Sequence, residues 1–196
     1  MLAPTNTGVV HRSTDKGHRD LRTSGRVSSD ILAAMEIRIA TAADWPGIWP
    51  FLRDIVAAGE TYTWPREVGE EQARGMWLVS PPGRTVVAVD SDGTVLGTAK
   101  LTPNQLGPGD HVANASFMVA PWASGRGIGR ALGAHVLDLA RADGYRGMQF
   151  NAVVAGNTRA VALWRSLGFE VVGRIPEGFR RPDDSYVDLL VMYQRL

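Results

Sequence analysis

The 196-residue chain contains no cysteine. Disulfides, thiolate zinc sites and cysteine nucleophiles are excluded together, and the composition suits a reducing compartment, so a cytoplasmic location is expected. Histidine is scarce: His11, His18, His111 and His135 form no ligand pair at helical spacing, so no metal site is expected. No apolar run approaches the roughly 20 residues that cross a bilayer, and no membrane partner is expected. Lysine occurs only at Lys16 and Lys100, against nineteen arginines. Neither sign of charge dominates, because 21 basic residues face 20 acidic ones for a formal net charge of +1. That balance argues against a dedicated nucleic-acid binder. Aromatic residues are missing from 1–34, although the chain holds six Trp, four Tyr and five Phe.

This last absence divides the chain. Residues 1–34 are rich in Ser, Thr, Gly and charge, with five basic and three acidic side chains, and are predicted to form a disordered extension. The segment has no apolar core of a signal peptide, and Asp15, Asp20 and Asp30 interrupt the acid-poor pattern of a transit peptide. The alternative is a translation start at Met35, directly before a strand. Residues 35–196 carry sixteen basic and seventeen acidic residues, so the predicted domain is close to neutral.

From Met35 strand and helix signals mix. EIRIA at 36–40 reads as a strand, and Thr41 three residues before Asp44 is an acidic variant of the capping box. Trp45, Ile48, Trp49, Leu52 and Val56 recur at spacings of three and four, predicting a helix to about Ala58 that Gly59 ends. ETYTWP at 60–65 reads as a loop against the core, and a short helix follows over 69–77. TVVAV at 85–89 and TVLGTAKL at 94–101 flank Asp92-Gly93, a hairpin pair. NASFMV at 114–119 is the next strand, followed by a helix with the stripe Ile128, Leu132, Val136 and Leu139. MQFNAVV from Met148 is a strand, Asn157–Leu167 a helix, and FEVVG at 169–173 and YVDLLVMY at 186–193 close the sheet. A meander followed by strand-helix-strand units implies an α/β or α+β fold whose sheet has parallel and antiparallel pairs.

Between a strand and a helix lies Ser124-Gly125-Arg126-Gly127-Ile128-Gly129-Arg130. Alternate glycines admit a tight turn and close approach to main-chain N–H groups, and a helix start favours an anion. The pattern is not a Walker loop, which needs Gly-Lys, nor a dinucleotide fingerprint, which needs a glycine at Leu132. A helix cap without a ligand would use the same residues.

The run FMVAPWASGRGIGRALGAHVLDLARADGYRGMQF, followed by NTRAVALWRSLGFEVVG, resembles the acetyl-CoA-binding motif of the GNAT acetyltransferase superfamily. The resemblance implies a mixed, mostly antiparallel central sheet flanked by helices, with a splay between the two central strands. It implies acetyl-CoA as cofactor, with Phe117, Met118, Val119 and Ala120 beside the pantetheine and thioester. Ser124, Gly125, Arg126, Gly127, Ile128, Gly129 and Arg130 would hold the pyrophosphate, and Asn157 and Trp164 would lie on the cofactor side. Two positions depart from the pattern: Ser124 replaces a Gln or Arg, and Trp164 replaces a tyrosine that protonates the departing thiolate. An indole N–H cannot act as that acid. Ala160, Leu163, Trp164 and Leu167 also read as a buried helix face.

FNAVVAGNTRAVALWRSLGFEVVGRIPEGF and YVDLLVMYQRL are similar to a narrower group, typified by the fungal acetyltransferase of azetidine-2-carboxylate and other proline analogues. That likeness implies that Asn114 and Asn151 bind the carboxylate of a small amino-acid-like acceptor. Asparagine is depleted in strand interiors and a buried amide must satisfy both donor and acceptor, so both residues, expected to be buried, need a reason for being there, and bridging backbone groups at the splay is the other one. Glu60 is the expected base for the acceptor ammonium, its pKa raised by desolvation in the aromatic loop. Tyr62, Trp64 and Phe179 are expected to wall the acceptor, or else to pack. Acetylation of a protein N-terminus, polyamine or antibiotic amine, and a non-catalytic acyl-CoA-binding module, are the competing functions. Monomer and homodimer are both open.

Overall fold

The computed structural model describes residues 35–196, so the expected extension over 1–34 lies outside the described residues. Strand β1 (Glu36–Ile39) leads through a 3-10 turn into helix α1 (Trp45–Ala58). At that turn the Asp44 carboxylate accepts from the Thr41 backbone N–H at 2.7 Å, and Arg38 grips it with two nitrogens at 2.7 and 2.9 Å. Helix α1 buries Trp45, Ile48, Phe51, Leu52 and Val56 and ends at Gly59, whose φ of 65° only glycine adopts readily. Phe51 joins the expected face, and the expected Trp49 is half-buried, packs against the core and stacks on Trp45. Helix α2 (Glu70–Trp77) docks through its last residue: buried Trp77 donates from Nε1 to the Thr98 hydroxyl at 3.0 Å.

The expected hairpin is present as β2 (Arg84–Val89) and β3 (Val95–Pro103), with Gly93 at φ 86° in its turn. Then come β4 (Val112–Val119), α3 (Ile128–Ala142), β5 (Gly147–Val154), α4 (Thr158–Ser166), β6 (Glu170–Arg180) and β7 (Tyr186–Arg195). The seven strands form one sheet in the order β1-β2-β3-β4-β5-β7-β6, and every pair is antiparallel except β4 with β5. This is the mixed, mostly antiparallel sheet that the GNAT resemblance implies.

Strand β6 runs seven residues beyond the expected FEVVG, to Arg180. Pro176 and Gly178 read as strand breakers, yet they fall where the register against β7 slips between Ile175 and Phe179, with Glu177 at φ 50°. A bulge tolerates both residues where a regular ladder would not. Helix α3 lies tight on the sheet because Gly97 has no side chain: a Cβ there would meet the Met118 carbonyl at 2.9 Å and Leu132 at 3.1 Å.

The functional opening comes from the one parallel pair. Strands β4 and β5 match only at Val112 with Gly147 and Ala113 with Met148, then separate. On its other edge β4 stays paired with β3 up to Val119. Strand β5 meanwhile slips against β7 between Phe150 and Val153, which places a bulge at Asn151 and Ala152.

Candidate active site

A cleft of about 730 Å³ fills the splay. Main-chain geometry determines what β4 offers it. Ala120 donates its N–H to Leu96 of β3, so the alternation of an antiparallel pair turns the main-chain groups of Phe117 and Val119 away from β3 and into the opening. The Phe117 carbonyl accepts there from the Tyr62 hydroxyl at 2.7 Å. Burial pushes the Tyr62 phenol well above its ordinary range, so it remains a neutral donor.

At the α3 end the chain turns through Ser124–Gly127, with Gly125 at φ 81° and Gly127 at φ 83°. The backbone N–H groups of Gly125 through Gly129 have no backbone acceptor among the described residues, while the Gly127 carbonyl is already used by Arg130 and Ala131. Consecutive free donors at a helix start form a cradle for a phosphate-bearing group, and no phosphate-specific side chain is required. Arg126 is half-buried and Ser124 exposed. Arg130 spends its guanidinium on the Ser166 hydroxyl at 2.8 Å. Ile128 is buried, leaving only its main chain for a ligand. A residue not expected from the sequence, Arg159, brings its guanidinium within 4.0 Å of where a Gly125 side chain would stand. It is the second residue of α4, and only the folded chain shows it beside the glycine turn.

Trp164 belongs both to the core and to the cleft wall. It is 8% exposed in the core, its ring 4.7 Å from Phe117 and 4.9 Å from Phe150, and it also lines the cleft. Asn157 caps α4 by accepting from the Ala160 N–H at 3.2 Å, and it faces the cleft as well.

The residues expected to meet the acceptor lie on the opposite face of the same strands. Asn114 donates to the Gln149 carbonyl at 2.9 Å, bridging β4 and β5 just where their ladder ends. Asn151 is exposed, a correction to its expected burial, because the β5 bulge turns it outward. It donates to the Asn104 side-chain Oδ1 at 2.7 Å and accepts from the Gln149 side-chain amide at 2.8 Å. Both asparagines line the cleft, together with Glu60, Tyr62 and Trp64. Glu60 is exposed, so the desolvation expected for it does not occur. Phe179 is not at the cleft: it is buried against Val154 and Leu189, and it borders a separate groove behind the Tyr62–Glu67 loop.

Free main-chain donors at a glycine turn, a splayed strand and a cleft between them are the parts of a site for coenzyme A thioesters. Residues 49–169 match the family model described as Acetyltransferase (GNAT) family, and the chain belongs to that family as an acetyl-CoA-dependent N-acetyltransferase. The chain is similar to the N-acetyltransferase aca1 of Schizosaccharomyces pombe, 32% identical over 111 residues that make up 56% of this chain and 53% of aca1. It thus spans about half the length of that relative. It is 31% identical over 145 residues to the L-methionine sulfoximine/L-methionine sulfone acetyltransferase of Pseudomonas aeruginosa, covering 72% of this chain and 83% of that one. Among solved structures, a GCN5-related N-acetyltransferase from Kribbella flavida is 55% identical, with TM-score 0.81 over 84% of this chain and 99% of that one. A phosphinothricin acetyltransferase from Sinorhizobium meliloti in complex with acetyl-CoA is 26% identical, with TM-score 0.75 over 83% and 89% of the two chains. Acetyl-CoA is the cofactor of this chain, and the glycine turn fits it.

Proposed function

We propose that the enzyme acetylates the amine of a small acceptor that carries a carboxylate, an amino acid or a close analogue, by direct attack within a ternary complex. The observation that carries this reading is the lining of the acceptor face: Thr102, Asn114, Ser116 and Asn151 on β3, β4 and β5, with Glu60 and Lys100 the only charged residues along the cleft among the described residues. A polycationic acceptor would need a cluster of acids, and Glu60 stands alone. Similarity to enzymes named for methionine sulfone and phosphinothricin supports an amino-acid-like acceptor. Similarity to aca1 supports the narrower likeness to the fungal proline-analogue group.

Bound acetyl-CoA supplies the thioester carbonyl. The chain supplies the rest: Glu60 at the mouth takes a proton from the acceptor ammonium, directly or through water. Main-chain donors of β4 at Phe117 and Val119 steady the charge that develops on the carbonyl oxygen. Asn114 and Asn151 hold the acceptor carboxylate. No general acid for the thiolate is assigned, since an indole occupies the usual position. The cysteine-free composition supports a cytoplasmic setting. The reaction needs one copy of the chain, and a homodimer is compatible with it.

The test is an acceptor screen that follows release of free coenzyme A. Free amino acids and cyclic imino acids are compared with their primary amides and with a peptide N-terminus. Turnover of the acids and loss of turnover with amides and peptide is the expected result. Equal use of acids and amides would overturn carboxylate recognition. Binding of acetyl-CoA without release for any amine would favour a non-catalytic module.

A further inference from the structure

Lys100 is the lone lysine of residues 35–196, and its surroundings are unusual for one. It sits on β3, half-buried, with its ammonium 5.3 Å from the centre of the Trp64 ring and 5.6 Å from that of Trp77. It donates to the Met76 carbonyl at 2.8 Å and forms no ion pair among the described residues. An ammonium has three N–H donors, so two remain. Desolvation holds its pKa below the ordinary lysine range. A cation removed from water without an anion is costly, and such a charge is well matched to a ligand that brings the anion with it.

The register shows where that anion would lie. Lys100 pairs with Ser116 and Thr102 pairs with Asn114, so these four side chains share one face of the sheet. That face carries the acceptor side of the cleft, and Lys100 lines it. The two asparagines are weak carboxylate ligands by themselves: each supplies only neutral donors, and each NH2 group already has a partner in Gln149 or Asn104. Charge-assisted hydrogen bonds are about twice as strong as neutral ones.

We propose that the Lys100 ammonium is the charged anchor for the acceptor carboxylate, and that Asn114 and Asn151 orient the carboxylate against it. The inference rests on the amino-acid reading of the acceptor and deepens it. The cleft then presents one cation and one carboxylate, Lys100 and Glu60, to the two charges of an amino-acid zwitterion. Lys100 selects the acid, and Glu60 receives the proton of the amine.

The competing role is structural, a strut that satisfies the C-terminal end of α2 through the Met76 carbonyl. Full-length K100M and K100R separate the two. The measurements are kcat and KM for azetidine-2-carboxylate and methionine sulfone, for their primary amides, and for acetyl-CoA. In K100M the acceptor-acid KM should rise about tenfold or more, while the residual rate with the amides and the acetyl-CoA KM stay within about twofold of wild type. K100R should restore part of the acid preference. If K100M keeps the wild-type ratio of acid to amide turnover while its melting temperature falls, the lysine is a strut and the inference fails. Should K100M not fold, K100Q keeps a donor for Met76 and makes the same comparison. A wild-type enzyme without acid preference would overturn the acceptor reading and this inference together, whereas a preference that survives in K100M overturns this one alone.

Discussion

At the α3 end of the cleft, the groups on offer are free main-chain N–H donors from consecutive residues, Gly125 through Gly129. At the proposed acceptor end the lining groups are side chains from separate places in the chain: Glu60 after α1, Lys100 on β3, Asn114 on β4 and Asn151 on β5. The first site is built by backbone conformation, so the residues that matter are those that permit the turn. The second is built by side-chain chemistry on a rigid sheet, so single functional groups matter and their loss leaves the backbone intact. Substitutions at the two ends should therefore fail in different ways.

The largest effect is expected from Gly127→Val. Its φ of 83° is strained for any L-residue and most of all for a β-branched one. The turn would refold and its donors disperse, weakening acetyl-CoA binding by about 100-fold or more in calorimetry. A folded variant with wild-type affinity would show that the cradle does not hold the cofactor. Next comes Glu60→Gln, which removes a proton acceptor without changing shape. It should lower kcat by about 100-fold and abolish the acidic limb of the pH profile, with acetyl-CoA affinity intact. A limb that persists would assign the base elsewhere, and Glu60 would be an exposed loop carboxylate only. Asn151→Ala is expected to be milder, raising the acceptor KM about tenfold while the acetyl-CoA KM stays within about twofold. Equal changes in both would mean that the Asn104–Asn151–Gln149 chain of amides supports the β5 bulge and not the acceptor.

The same contrast explains what could be read from the sequence. The glycine turn was legible because its constraint is local: three glycines at alternate positions between strand and helix leave few conformations. The capping of α1 at Thr41 and Asp44 and its stop at Gly59 were legible for the same reason. Lys100 was not, because nothing in TVLGTAKL distinguishes a solvated lysine from one between two indoles brought by residues 64 and 77. Arg159 was missed likewise, since its neighbour Gly125 is distant in sequence. Asn151 was noticed for its residue type, but its exposure depends on a slip against β7 that local pattern does not encode. Phe179 was misplaced because Pro176 and Gly178 disguised the continuation of β6.

The smallest effect on catalysis is expected from Asp44→Asn, which tests the frame beneath both sites. The Arg38 guanidinium, followed by the Thr41 donors, holds the Asp44 carboxyl down at about 2 against an ordinary 3.8. A pKa lowered on folding contributes stability that is fully present above the unfolded value and is lost as pH falls through the folded one. The variant should therefore melt about 3–6 °C below wild type at neutral pH, a modest loss because Arg38 is 38% exposed and partly screened. The gap should close between about pH 4 and pH 2, where wild type loses the same charge. A gap that persists at pH 2 would assign the contribution of Asp44 to packing and to its cap on the α1 turn. Because this titration falls below about pH 4, an acidic limb of kcat at higher pH is not produced by it. The Glu60→Gln profile can then be read as chemistry at the acceptor end rather than as loss of the Asp44 contribution to the fold.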